Sequence, residues 1–130
     1  MSFWYLDTSA ALTLLVSEAE SGALAARLDD DDVQLVGCLL LETELRRACH
    51  RIEGLEQEHV TDLLLDVGLQ DMTPDLYRTA GLLPGRDLRS LDALHLAAAT
   101  RLDVDAVCTY DRRMAAAALS VGLVVQSPGA

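Results

Sequence analysis

Short apolar runs alternate along the chain with stretches whose apolar residues recur every three or four positions. Phe3 to Leu6 reads as a strand, and Ser9 through Val16 follows as a helix with Leu12, Leu15 and Val16 on one face. Ser21 to Leu28 carries Leu24 and Leu28 at helical spacing, and the run Asp29 to Asp32 ends it as a solvated turn. Val33 to Val36 reads as a buried strand, Gly37 as punctuation, and Leu39 to Ile52 as a helix whose inner face is Leu41, Leu45, Ala48, Cys49 and Ile52. Glu56 to Val67 predicts a further helix and Leu69 to Met72 a strand, after which Thr73-Pro74 opens another helix with Thr as N-cap and Pro at its first position. Beyond the loop Leu83-Pro84-Gly85, Ser90 caps a helix running to about Leu102 and Ala106 to Thr109 reads as a strand. Arg112 to Val121 is a helix stopped by Gly122, and Leu123 to Gln126 is the last strand. This alternation predicts one α/β domain over residues 1–130, a central parallel sheet of about five strands flanked by helices. In such sheets ligands collect beyond the carboxyl ends of the strands, near a topological switch point.

Composition narrows the class. At 130 residues and 51% hydrophobic the chain supports one real core, with no internal repeat or linker that would separate a second. No apolar stretch reaches the roughly 18 residues of a membrane helix, and the N-terminus lacks a basic leader, so a cytoplasmic protein with no membrane partner is expected. The cysteines Cys38, Cys49 and Cys108 are odd in number and sit in apolar surroundings, which suits reduced thiols. Cys49, His50 and His59 lack the paired spacing of zinc sites. The net charge of −11 taken alone speaks against a nucleic-acid partner. All ten basic residues are arginine, a bias that a GC-rich genome explains. The absence of lysine removes P-loop nucleotide binding, and phosphoacceptor and phosphatase sites built on a lysine, from the field.

Four acids stand at four joints of the predicted elements. Asp7 and Asp111 directly follow strands, whereas Glu44 and Asp92 lie on helices. Two bare carboxylates about 4 Å apart repel by roughly 4 kcal/mol at an effective dielectric near 20, so a converged quartet calls for a divalent cation. Three of the four also have a plainer reading: Asp7 and Asp111 as helix caps, and Asp92 as a charge complementing a helix N-terminus. On the helix from Leu39, Glu42 and Glu44 fall on opposite borders of the apolar stripe, and periodicity does not choose between them. Arg47 and Arg51 share Glu44's border, as a phosphate clamp or as surface charges. Arg112 and Arg113 stand at a helix N-terminus, the unfavourable end for cations, which a bound phosphate chain or neighbouring carboxylates would offset. His95, one turn beyond Asp92 among Leu91, Leu94 and Ala98, reads as a core histidine, with contact to substrate the alternative.

The motifs YLDTSA, ETELRRA, LRSLDALHLAAA and CTYDRRM, in this order and spacing across nearly the whole chain, resemble those of PIN-domain proteins, and closely the VapC toxins of bacterial toxin–antitoxin pairs. The resemblance implies a Rossmann-like PIN fold and a Mg²⁺- or Mn²⁺-dependent endoribonuclease. It assigns the acidic quartet to Asp7, Glu44, Asp92 and Asp111 as catalytic and metal-binding residues, and thereby takes Glu44 over Glu42. The hydroxyls of Ser9 and Thr109 are then placed to orient carboxylates, and Arg47, Arg51 and Arg112 to contact RNA phosphates. The implied partners are an RNA substrate of the transfer or ribosomal class, a VapB-type antitoxin and a second copy of the chain. Two other readings fit the same residues: a catalytically silent PIN-fold binding module, and a metal-dependent phosphoesterase acting on DNA or small phosphates.

Overall fold

In a computed structural model describing residues 1–130, five parallel strands form one sheet. The strands are β1 (Ser2–Leu6), β2 (Val33–Cys38), β3 (Val67–Gln70), β4 (Ala106–Cys108) and β5 (Val125–Gln126), in the order β3-β2-β1-β4-β5. The chain winds outward from β1 to β3 on one side and then returns to lay β4 and β5 on the other. The strand order therefore reverses between β1 and β4, the switch point beyond whose carboxyl ends sheets of this kind take their ligands. Trp4, Tyr5 and Leu6 pair with Ala106, Val107 and Cys108 there.

The period-2 alternation of these two strands builds two cores. Trp4, Leu6, Ala106 and Cys108 face one side, packed with Leu24 of α2 (Ser21–Asp30), Leu41 and Leu45 of α3 (Leu39–Ala48), Val60 of α4 (Gln57–Leu65), and Ala10 and Ala11 of α1 (Thr8–Leu15). Tyr5 and Val107 face the other, against Leu76 and Ala80 of α5 (Pro74–Leu82), Leu96 to Ala99 of α6 (Ser90–Leu102), and Met114 and Ala118 of α7 (Arg112–Ser120). Burying each of the larger side chains contributes about 1.5–3 kcal/mol before entropy is counted. In α6, buried residues run unbroken from His95 to Ala99, and its alanines let the helix lie close to the sheet and to both neighbouring helices. No helix is long and apolar enough to cross a membrane.

Several boundaries differ from the sequence expectation. Gly37 is not punctuation: β2 runs through it to Cys38, because Gly37 pairs with Leu69 and its missing side chain leaves room for Leu41, whose Cδ2 lies 3.3 Å from where a Cβ would stand. β3 begins two residues early, at Val67, since its register is set by Leu35 of β2. Helix α3 stops at Ala48 instead of Ile52, and Arg51 falls in the following turn, where helical arithmetic no longer places it relative to Glu44. The N-cap of α6 is Arg89, with Ser90 already inside the helix. Two of the four aspartates expected to form a turn, Asp29 and Asp30, extend α2. Asp31 pairs with Arg27, and Asp32 takes the left-handed conformation (φ 51°) that turns the chain into β2. Arg27 in the last turn also offsets the acidic residues crowding that helix end, and its guanidinium lies 5.5 Å from the centroid of the Trp4 ring.

Candidate active site

Asp7 is the first residue past β1, and its backbone N–H donates to the carbonyl of Cys108 at the end of β4, fixing the two strand ends to each other. It occupies the N-cap position of α1, yet its carboxylate caps nothing. Instead Oδ2 accepts from Ser9 Oγ (2.9 Å) and Thr109 Oγ1 (2.8 Å). Both hydroxyls are themselves held by backbone donors, Ser9 by the N–H of Tyr110 (2.9 Å) and Thr109 by that of Asp111 (3.1 Å). A hydroxyl has one proton. With both protons directed at Asp7, the 3.1 Å approach of Ser9 to Thr109 is simple packing. The buried carboxylate is thus locked through one oxygen, and Oδ1 stays free.

Glu44 reaches from α3 to residues of α1 and α6. Its Oε1 accepts from Thr8 Oγ1 (2.8 Å) and meets His95 Nε2 (2.5 Å), leaving Oε2 unengaged. Glu42, by contrast, holds Arg46 in an ion pair on α3 itself. His95 is 1% exposed, as a core residue would be, but it serves as a polar link: Nδ1 lies 2.7 Å from the hydroxyl of Tyr5, which donates to Cys38 Sγ at 3.2 Å. Burial works against a charged ring. Hydrogen bonding to Cys38 and Glu44, with the charges of Glu44 and Asp7, outweighs it and pushes the pKa up to about 10. The imidazolium then donates from Nε2 to Glu44 and from Nδ1 to the Tyr5 oxygen, whose own proton goes to Cys38, so donation runs outward from His95 to both sides. Sequence reasoning missed Tyr5 and the link. The available signals were a tyrosine two residues before Asp7 and a histidine three after Asp92, but these lie 90 residues apart and no local pattern joins them.

Asp111 is both a cap and a member of the site. Its Oδ1 accepts from the N–H groups of Arg113 (2.8 Å) and Met114 (3.3 Å) at the start of α7, and Oδ2 is free. Asp92, in the first turn of α6, makes no hydrogen bond or ion pair through either oxygen. Burial raises its pKa first, and the charges of Asp111, Asp7 and Glu44 raise it further against the opposing effect of His95. The four acids therefore share one electrostatic neighbourhood. They do not close on a common point: no three Asp, Glu, His or Cys side chains stand as a ready coordination shell. The pattern is one anchored and one free oxygen on Asp7, Glu44 and Asp111, around an Asp92 with both oxygens free. Hard oxygen donors of this kind fit Mg²⁺ or Mn²⁺.

The raised Asp92 carboxyl has a thermodynamic sign. A folded-state pKa above the unfolded value means stability present at low pH is lost as pH rises through it, so the ionised residue is a penalty at neutral pH. In EDTA, Asp92→Asn is expected to melt at a higher temperature than wild type. A lower or equal melting temperature would show that Asp92 is not repelled by its neighbours.

Arg47 on α3, Arg51 beyond it and Arg112 at the first position of α7 are exposed and make no ion pair. None is drawn onto the four carboxylates.

The family profile of the PIN domain matches residues 4–119. Ribonuclease VapC35 of Mycobacterium tuberculosis is 36% identical over 130 residues, with 96% of each chain covered. Among solved structures, M. tuberculosis VapC20, a sarcin-ricin-loop-cleaving toxin, superposes with a TM-score of 0.68 at 21% identity over 96% of this chain and 99% of that one. VapBC2 of Rickettsia felis, solved bound to a DNA fragment from its promoter, gives 0.68 at 13% over 95% and 97%. The two structures share the fold. The profile match and the identity to VapC35 go further: the chain belongs to the PIN-domain family and is homologous to the VapC ribonucleases.

Proposed function

We propose that the chain is a Mg²⁺- or Mn²⁺-dependent endoribonuclease toxin that hydrolyses RNA phosphodiester bonds through Asp7, Glu44, Asp92 and Asp111. The observation that carries this reading is the half-anchored state of the carboxylates: each of three is locked through one oxygen while the other has no protein partner. Asp7 and Asp92 are the main candidates to hold a divalent cation, with Glu44 and Asp111 completing its surroundings. When bound, such a cation supplies Lewis acidity that eases ionisation of water and offsets charge gathering on the scissile phosphate.

The chain's own residues supply the rest. Ser9 and Thr109 hold the Asp7 carboxylate in one orientation, and Thr8 and His95 do the same for Glu44. Preorganisation of this kind avoids rearrangement as charge develops. His95 keeps a proton at Nε2 against Glu44, so part of the local negative charge is compensated from within. A VapB-type antitoxin, a homodimer and a cytoplasmic setting belong to the same reading. Tyr77 and Leu82 of α5 and Leu91 of α6 are apolar side chains left exposed for a second copy.

Parallel digestion of structured RNA, single-stranded DNA and a chromogenic phosphate ester with Mn²⁺ tests the activity. Cleavage of RNA alone is expected, and cleavage of only the DNA or the ester would replace this reading with a different phosphoesterase. Millimolar Mg²⁺ is expected to raise the melting temperature, because a ligand that binds only the folded state stabilises it. The shift should vanish in the Asp7→Asn/Asp92→Asn double variant; its survival there would move the cation elsewhere.

A further inference from the structure

Six of the ten arginines, Arg47, Arg51, Arg86, Arg89, Arg112 and Arg113, make no ion pair or side-chain hydrogen bond, whereas Arg27, Arg46, Arg78 and Arg101 are all engaged. Three of the unengaged ones converge. Arg86, Arg89 and Arg113 line a single cleft of about 770 Å³ between the loop at 84–89 and α7, against one carboxylate, Asp87. In a chain of net charge −11 this is a local surplus of positive charge.

The far wall of the cleft is one face of α7. Ala116, Ala117 and Ser120 stand three, four and seven residues beyond Arg113, and their small side chains leave an open floor beside the guanidinium groups. Two of the cleft's arginines also neighbour two of the acids. Arg89 is the N-cap of the helix that carries Asp92 in its first turn, and the Arg113 N–H is held by Asp111 at 2.8 Å. Cations at two helix N-termini are disfavoured by the helix dipoles, and no protein carboxylate pairs with them. An anion from outside the chain is what would complete them.

We propose that Arg86, Arg89 and Arg113 form a track for the phosphodiester backbone of single-stranded RNA, leading away from the point of cleavage. The forked guanidinium matches phosphate oxygens, and contacts to phosphate position a strand without reading its sequence. The inference rests on the ribonuclease reading of the adjoining acids and names residues which that reading did not include.

The test is fluorescence anisotropy with labelled single-stranded RNA oligonucleotides of several sequences, titrated against salt. The protein carries Asp7→Asn so that the probe is not consumed, with and without Arg86→Ala/Arg89→Ala/Arg113→Ala. All three arginines are exposed and two stand at the unfavourable end of a helix dipole, so the melting temperature should not fall. The triple variant is expected to bind every oligonucleotide at least about tenfold more weakly, and the slope of log K against log salt should flatten by about 2, or roughly 0.7 for each lost phosphate contact. Unchanged affinity and slope would overturn the track while leaving RNA cleavage standing. The track is equally overturned if the triple variant loses binding to a poly-glutamate peptide but keeps RNA, which would make the cleft a protein-docking site. Failure of the parent protein to bind RNA, together with failure of wild type to cut it, would remove the ribonuclease reading as well.

Discussion

Asp7→Asn is expected to lower RNA cleavage by at least 10²- to 10³-fold, on the order of the loss seen when one preorganised electrostatic group is removed from an active site. The substitution keeps shape and hydrogen bonding, since an amide oxygen can still accept from Ser9 and Thr109, so the fold should persist. What disappears is the charge. A cleavage assay with Mn²⁺, accompanied by circular dichroism and a melting curve, reads both quantities from one preparation. Activity within about threefold of wild type would take Asp7 out of the chemistry.

His95→Ala should have the largest effect on stability. The ring is buried and joins Glu44 to Tyr5, so its removal leaves an uncompensated carboxylate, a phenol with only Cys38 as partner and a cavity. Breaking a buried pair by deleting one partner costs about 3–5 kcal/mol, and Glu44's partial exposure places this case near the lower end. Against the roughly 5–15 kcal/mol of a typical domain this is a large fraction, measurable by urea unfolding. His95→Gln, which keeps volume and one donor, should recover part of it. The pH dependence has a definite sign. A folded pKa of about 10 against an ordinary 6.5 means the stabilisation is fully present below 6.5 and is lost as pH rises through 10. In EDTA the urea midpoint of wild type relative to His95→Gln should shrink across that window. A constant difference would show that the ring is neutral in the folded protein.

How much of the fold and site is legible in the sequence follows from the range of each signal. Asp7 and Asp111 stand out because a strand followed by an acid is a local pattern, and the sheet does place both beyond the carboxyl ends of β1 and β4. The start of β3 is not legible. Val67 belongs to the strand because Leu35 pairs with it, not because of anything in its own neighbourhood. Gly37 misleads for the same reason, a glycine tolerated in a strand by close packing against Leu41. Glu42 and Glu44 are equivalent by helical geometry, and family resemblance chooses between them. The physical difference lies in partners drawn from other segments, Arg46 for one and Thr8 and His95 for the other. The Arg86, Arg89 and Arg113 cleft is hidden altogether, since a loop and a helix distant from it in sequence define it jointly.

The hydrogen bond from Thr109 to Asp7 spans 102 positions of the chain. The hydroxyl that orients Asp7 and the strand that anchors it therefore follow it in the chain by about a hundred positions. Parallel pairing of this kind also closes late, after a long loop has been ordered. A chain cut before β4 therefore contains three of the four acids but neither Thr109 nor the strand that fixes Asp7, so the arrangement of the acids depends by topology on the last strands of the sheet.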